Sequence, residues 1–279
     1  MKSVVSIKWL LARMYEPDIV IVDCRFALGQ PEAGRKAYEE SHIPGAIYLD
    51  LEGDLSASLD EHGGRHPLPD PAGLAHRLAR AGISNSSRIV AYDSQGGMMA
   101  SRLWWLMRYL GHEQVYVLDG GYEAWQTADF PVTDEQRATI PGTFYAEVQH
   151  GMLAEVYDVQ ERLGSASTKL IDSREAARYR GEVEPIDKIA GHIPGAVNRF
   201  WKDSLNEQGL FKDEAAQRER FADLAEAEEI IVYCGSGVSA CPNVLALHEA
   251  GFDNVRLYLG SWSDWISYEE NPVATGEEG

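Results

Sequence analysis

Short, unbroken apolar runs recur along the chain. Ile19-Val20-Ile21-Val22, Ile89-Val90-Ala91, Val115-Tyr116-Val117-Leu118 and Ile230-Ile231-Val232 lack the alternation of a strand with one wet face. They read as parallel strands buried on both sides. Between them the apolar spacing turns helical. Leu74, Leu78 and Ala81 share a face, as do Leu103, Leu106, Met107 and Leu110, which predicts amphipathic helices. Gly111 and Gly251 each follow such a segment and read as C-terminal stops. Strands alternating with helices predict an α/β fold, with a central, mainly parallel sheet flanked by helices.

The pattern occurs twice. Ser41-His42-Ile43-Pro44-Gly45-Ala46 returns as Gly191-His192-Ile193-Pro194-Gly195-Ala196. Upstream of each is a strand with an acidic end, Asp23-Cys24-Arg25 and Asp172-Ser173-Arg174. Downstream, Arg88 to Asp93 matches Glu229 to Cys234, and Gly120-Gly121-Tyr122-Glu123-Ala124-Trp125 echoes Gly260-Ser261-Trp262-Ser263-Asp264-Trp265. The same elements recurring in the same order mark a duplication. The expected organisation is a first domain over 1–132, a turn-rich linker over 133–143 containing Pro141-Gly142, and a second domain over 144–279.

At 279 residues the chain has room for two domains. With 44% hydrophobic and 10% aromatic residues it is not a disordered chain. Its 25 basic against 44 acidic residues give −19. A field of that sign repels nucleic acid and anionic lipid, so neither is expected as a partner. Any anionic substrate needs a local basic site. Cys24, Cys234 and Cys241 are too few for a disulfide scaffold and odd in number, which fits a reducing, cytoplasmic setting. No membrane span or signal peptide is expected, and the chain is expected to act as a monomer.

Duplication provides an internal control: features in both copies serve the fold, and features in one copy are candidates for chemistry. His42, His192 and the two Asp–Arg pairs occur in both and are read as structural. Cys234 occurs in one, opposite Asp93. It ends a strand and opens Cys234-Gly235-Ser236-Gly237-Val238-Ser239 ahead of a helix over Ala240–Ala250. A strand, a Gly-containing loop and a helix start make a nest of inward-pointing amides. A cysteine there is expected to ionise readily and act as a nucleophile. Cys24 and Cys241 read as buried apolar residues, and Trp104, Trp105, Trp262 and Trp265 as packing. His62 and His66 lie close together, but no further ligand motif accompanies them, so neither metal nor cofactor is expected.

A thiolate in such a nest suits phosphate-ester hydrolysis or sulfur transfer. The phosphatase loop, Cys-x5-Arg, needs an arginine that clamps phosphoryl oxygens. Here the sixth residue after Cys234 is Ala240. The doubled Asp-x-Arg and His-Ile-Pro-Gly-Ala elements, the six-residue Cys loop in the second copy and the closing Gly-Ser-Trp-x-x-Trp together resemble the tandem-domain rhodanese-type sulfurtransferases.

The resemblance implies two rhodanese folds, a non-catalytic first domain, a catalytic second one and an active site in the cleft between them. It implies a small anionic sulfur donor, a Cys234 persulfide, and a thiol, thioredoxin or cyanide as acceptor. The uncharged loop Cys-Gly-Ser-Gly-Val-Ser resembles members that use 3-mercaptopyruvate, with Gly235, Gly237, Val238 and Ser239 as donor-binding positions. It further implies a triad of Ser236, His66 and Glu52, with Asp50 or Asp54 as alternative acids. Arg178 matches the family's substrate arginine, with Arg180 as a neighbour that could serve instead. The second arginine that often follows Glu-Pro in mercaptopyruvate enzymes is replaced by Ile186-Asp187-Lys188, which leaves thiosulfate as the alternative donor. A sulfur carrier without turnover is the non-enzymatic alternative.

Overall fold

The computed structural model describes residues 2–136 and 138–277. The chain forms two compact units. Unit 1 gathers residues up to 57, 69–149 and 207–211; unit 2 gathers 58–68, 150–206 and 212 onward.

Unit 1 is built on five strands, β1 (Val4–Val5), β2 (Ile19–Asp23), β3 (Ile47–Tyr48), β4 (Arg88–Tyr92) and β5 (Val115–Leu118). They lie in the order β1-β5-β4-β2-β3, every pairing parallel. Unit 2 repeats this with β6 (Leu153–Ala154), β7 (Thr168–Asp172), β8 (Val197–Asn198), β9 (Glu229–Tyr233) and β10 (Val255–Tyr258), in the order β6-β10-β9-β7-β8. The register repeats too. Ile19 faces Arg88 and Asp23 faces Tyr92, as Thr168 faces Glu229 and Asp172 faces Tyr233. Ile89–Tyr92 and Ile230–Tyr233 are buried throughout, as unbroken apolar runs in a doubly covered sheet must be.

The helices of unit 1 are α1 (Ile7–Leu11), α2 (Ala33–Glu40), α3 (Pro71–Arg80), α4 (Met98–Tyr109) and α5 (Gly121–Thr127). Those of unit 2 are α6 (Val156–Glu161), α7 (Ala176–Tyr179), α8 (Glu214–Arg220), α9 (Cys241–Glu249) and α10 (Ser261–Trp265). α3 keeps the expected apolar stripe, burying Leu74, Ala75 and Leu78, and Asp70 caps its start by accepting from the Gly73 amide at 2.7 Å. α4 departs from the amphipathic expectation. Met99 to Met107 are buried on every face, Ser101 and Arg102 included, as happens when a helix is enclosed all round. Gly111 (φ +83°) and Gly251 (φ +89°) stop α4 and α9 in the left-handed conformation.

The stretch expected to be a linker is held by unit 1. Thr133 and His42 exchange both backbone hydrogen bonds, the Gly142 amide donates to Ala79 O at 2.7 Å, and the Thr143 amide donates to Ser84 Oγ at 3.0 Å. The first unit therefore runs to residue 149 rather than to 132. Conversely, residues 58–68 leave the first half of the sequence to pack in unit 2, which places His66 in the same body as Cys234. Trp104, Trp105, Trp125, Trp262 and Trp265 are core. Trp125 belongs to the apolar cluster of unit 1, Trp262 and Trp265 to that of unit 2, and Trp104 and Trp105 are buried.

Candidate active site

The C-terminal ends of the central strands carry the polar groups in both units. In unit 1 the Arg25 guanidinium donates to Asp23 at 2.7–3.1 Å and onward to Ser41 O at 2.6 Å. In unit 2 Arg174 does the same with Asp172 and with Gly191 O, at 2.6 Å. His42 Nδ1 donates to Tyr38 O and His192 Nδ1 to Tyr179 O, each imidazole stacked on that tyrosine. These pairs are buried and tie the strand end to the His-Ile-Pro-Gly loop. Their matching geometry in both copies fits the structural role expected of them.

The loop after β4 shows what the nest does with an anion. The Asp93 carboxylate accepts from the amides of Gln95 (2.8 Å), Gly97 (2.9 Å), Met99 (2.7 Å) and Ala100 (2.9 Å). Burial nonetheless raises its pKa, against the pull of those four bonds. The nest of unit 1 is filled by its own side chain.

In unit 2 the same loop follows β9, and Cys234 stands where Asp93 would. The Trp262 amide donates to Cys234 O at 3.0 Å, as the Tyr122 amide donates to Asp93 O at 2.8 Å. The positions matching the four amides are Ser236, Val238, Ala240 and Cys241. The Cys241 amide donates to Val238 O at 3.0 Å; among the described residues the other three have no acceptor. Gly237 adopts φ +73°, and a Cβ there would stand 2.0 Å from Leu259 O, so the loop requires glycine. The Cys234 amide donates to Ser261 Oγ at 3.0 Å, and that hydroxyl lies 4.0 Å from Cys234 Sγ. Ser261 itself has φ +58° where the other copy has Gly121 at +57°, a strained backbone at a functional loop.

Positive charge sits over the start of the loop. From the place a Cβ on Gly235 would occupy, Arg65 Nη2 is 3.0 Å away, and Arg178 Nη2 and Nη1 are 3.6 and 3.7 Å away. Arg178 is held by Glu184 at 2.7 and 3.1 Å and by Asp187 at 3.1 Å. Arg65 pairs with the other oxygen of Asp187. Glu184 also meets Arg174, at 3.3 Å. Asp172, Arg174, Glu184, Arg178, Asp187 and Arg65 thus alternate in sign toward Cys234. On the other side, His66 Nδ1 lies 2.8 Å from Ser236 Oγ, with both residues buried.

The structure therefore brings Cys234, Ser236, His66, Arg178, Gly235, Gly237, Val238 and Ser239 together in unit 2. Arg180 is a correction. It is paired with Glu182 at 2.8 Å and Glu277 at 3.2 Å on the surface, because α7 turns it away from Arg178. Glu52 stands exposed on a turn of unit 1, its amide donating to Asp50 Oδ1 at 3.0 Å. Asp50 and Asp54 are engaged in the hydrogen bonds of that turn. Lys188 is exposed. Cys24 and Cys241 are buried and outside any disulfide, Cys241 Sγ donates to Gly237 O at 3.3 Å, and burial pushes the Cys24 thiol well up. His62 stacks on Tyr268 and meets Ser267 Oγ at 2.8 Å.

Two residues escaped the sequence reading. Ser261 carried a signal, since it breaks the Gly-Gly of the first copy. Arg65 carried a weaker one, a cation beside His66 in an acidic chain.

The family described as "Rhodanese-like domain" matches residues 6–128 and 155–268. A probable 3-mercaptopyruvate sulfurtransferase of Pseudomonas aeruginosa is 46% identical over 96% of this chain and 96% of its own. The putative thiosulfate sulfurtransferase SseB of Mycobacterium tuberculosis is 35% identical over 92% and 91%. The crystal structure of SseA from Escherichia coli, described as a 3-mercaptopyruvate sulfotransferase, superposes with a TM-score of 0.83 at 32% identity, covering 94% of this chain and 100% of that one.

Proposed function

The chain belongs to the rhodanese-like family and is a sulfurtransferase; from that premise we propose that Cys234 of unit 2 is its nucleophile and 3-mercaptopyruvate its preferred donor. The observation that carries this reading is the contrast between the two nests, one closed by Asp93 and one left open above Cys234.

The Cys234 thiolate attacks the donor's sulfur. An S–S bond forms, the S–C3 bond breaks, and its electron pair leaves on C3 as pyruvate enolate. The donor's own S–H proton ends on that carbon, so thiolate plus mercaptopyruvate gives persulfide anion plus pyruvate. The amides of Ser236, Val238 and Ala240 take up the charge of the outer sulfur. The Arg178 fork holds the donor's anionic end. Ser236 and His66, 2.8 Å apart, relay the proton. Cyanide or a thiol, thioredoxin among them, then takes the outer sulfur and restores the thiolate, so kinetics are ping-pong. Three cysteines outside any disulfide fit a cytoplasmic enzyme, acting as a monomer. Among the described residues no helix is long and apolar enough to cross a membrane.

The test is intact mass after donor exposure. Wild type gains one sulfur and loses it to cyanide; Cys234→Ser gains none and has no turnover. A Cys234→Ser protein that still transfers sulfur overturns the nucleophile. A kcat/KM for thiosulfate above that for mercaptopyruvate overturns the donor. A persulfide that forms without steady-state turnover marks a carrier.

A further inference from the structure

The segment 58–68 is docked onto α10 and its flanks by side chains that the mechanism above does not use. The Gly63 amide donates to Asp264 Oδ1 at 2.7 Å and the Arg65 amide to Ser263 Oγ at 3.1 Å. Gly64, at φ +76°, passes so close to Gly260 that a Cβ would lie 2.4 Å from its carbonyl oxygen. The His62 imidazole stacks on Tyr268 with centroids 4.0 Å apart. This strap fixes two consecutive side chains beside the Cys loop, and only one of them, His66, has a role in proton transfer.

The other is Arg65. Its Nη1 is tied to Asp187, whose second carboxylate oxygen holds Arg178. Its Nη2 overhangs Gly235, next to Cys234. Its Nε is buried and has no hydrogen-bond partner among the described residues. Burial, the largest influence, and the like charge of Arg178 pull the pKa of this guanidinium down, while Cys234 pulls it up. A buried donor left unpaired is unfavourable, and two guanidiniums held side by side repel. Both features disappear when an anion enters between them. Asp187 acts as a spacer that sets the separation of the two forks.

On the reading above, and deepening it, we propose that Arg65 is a second donor-binding residue, forming with Arg178 a two-fork clamp for the donor's anionic head. A carboxylate offers the two acceptor oxygens that a guanidinium fork matches; the sulfonate end of thiosulfate offers the same chemistry in a tetrahedral array. Arg65 takes no part in bond breaking. Its loss should appear in KM and spare kcat.

The experiment uses full-length protein and two alkylating probes for Cys234, anionic iodoacetate and neutral iodoacetamide, with the modified peptide identified by mass. In wild type the clamp favours iodoacetate. Arg65→Gln is expected to lower the iodoacetate-to-iodoacetamide rate ratio about tenfold and raise KM for mercaptopyruvate about tenfold, with kcat within threefold. Arg65→Lys, which keeps the charge without the fork, should fall between, and it decides the matter if the glutamine variant does not fold. Arg180→Gln should match wild type. A KM rise for both mercaptopyruvate and thiosulfate, or for mercaptopyruvate alone, supports the clamp. An unchanged probe ratio in Arg65→Gln, or a fall in kcat with KM unchanged, overturns it. The probe ratio needs no sulfur donor, so a protein that never forms a persulfide refutes the assigned function while Arg65 is still tested.

Discussion

Gly237→Ala isolates what the Cys loop requires of its backbone. At φ +73° an alanine carries the left-handed penalty of about 1–2 kcal/mol. Its Cβ would also stand 2.0 Å from Leu259 O, where ordinary contact begins at 3.4 Å. Leu259 is buried, so the loop must give way rather than the carbonyl. Forced displacement in a packed site adds about 1–3 kcal/mol, for a total of about 2–5 kcal/mol. The larger consequence is for chemistry. A shift of about 1 Å in a positioned catalytic group costs on the order of 100-fold in rate, and the amides of Ser236 and Val238 flank the displaced residue. Gly195→Ala is the control, because Gly195 has φ +78° and a Cβ added to it would meet nothing within 4 Å. It should cost only the backbone term and keep full activity. Urea denaturation and the rate of persulfide formation read both effects. Wild-type kcat/KM in Gly237→Ala would refute the reasoning, as would equal stability losses in the two variants.

Ser236→Ala should lower kcat with mercaptopyruvate by about 10²–10⁴, the usual worth of a positioned acid–base pair. Turnover with thiosulfate should change only a few-fold, since sulfite leaves without a proton; equal losses on both donors would remove Ser236 from proton transfer. Asp93→Ala strips the acceptor from four amides and should destabilise by at least about 2 kcal/mol in urea melts; a loss under about 1 kcal/mol would mean that water fills the nest at no cost. Burial holds the pKa of His112 below its ordinary 6.5, so the unfolded chain binds that proton first. Stability is therefore full above about pH 6.5 and falls below it, by at most about 1.4 kcal/mol per pH unit. Melts at pH 7 and pH 5 should show His112→Gln losing less than wild type; parallel losses would assign the acid sensitivity elsewhere.

The doubled fold was legible because parallel strands covered on both faces need unbroken apolar runs, and a duplication repeats them in the same order. The matching strands Arg88 to Tyr92 and Glu229 to Tyr233 set Cys234 against Asp93. What local pattern could not supply was the long-range geometry. His66 and Ser236 are 170 residues apart in sequence, and the link between them rested on the family resemblance. Arg178 and Arg180 sit two residues apart at one short helix, and nothing in their spacing distinguishes the one facing Glu184 from the one facing Glu182. Arg65 escaped because its segment leaves the half of the chain it belongs to by sequence. The stretch 133–143 read as a linker because a polar, turn-rich composition describes chain packed on a surface as well as chain that spans a gap.

The two nests also explain why one duplicated unit keeps a carboxylate where the other has a thiol. Converging amides in a buried loop are costly unless something accepts from them. Unit 1 meets that need with its own side chain, since Asp93 accepts from four of them. A cysteine side chain is shorter and brings one polarizable sulfur in place of two oxygens. It leaves Ser236, Val238 and Ala240 without an acceptor until a second sulfur is attached. On the proposed mechanism, a Cys234 persulfide would complete the hydrogen bonding that Asp93 completes in unit 1. On this account, the loaded enzyme should resist urea better than the free enzyme. Urea melts of the donor-treated and untreated protein check this, and equal midpoints would refute it.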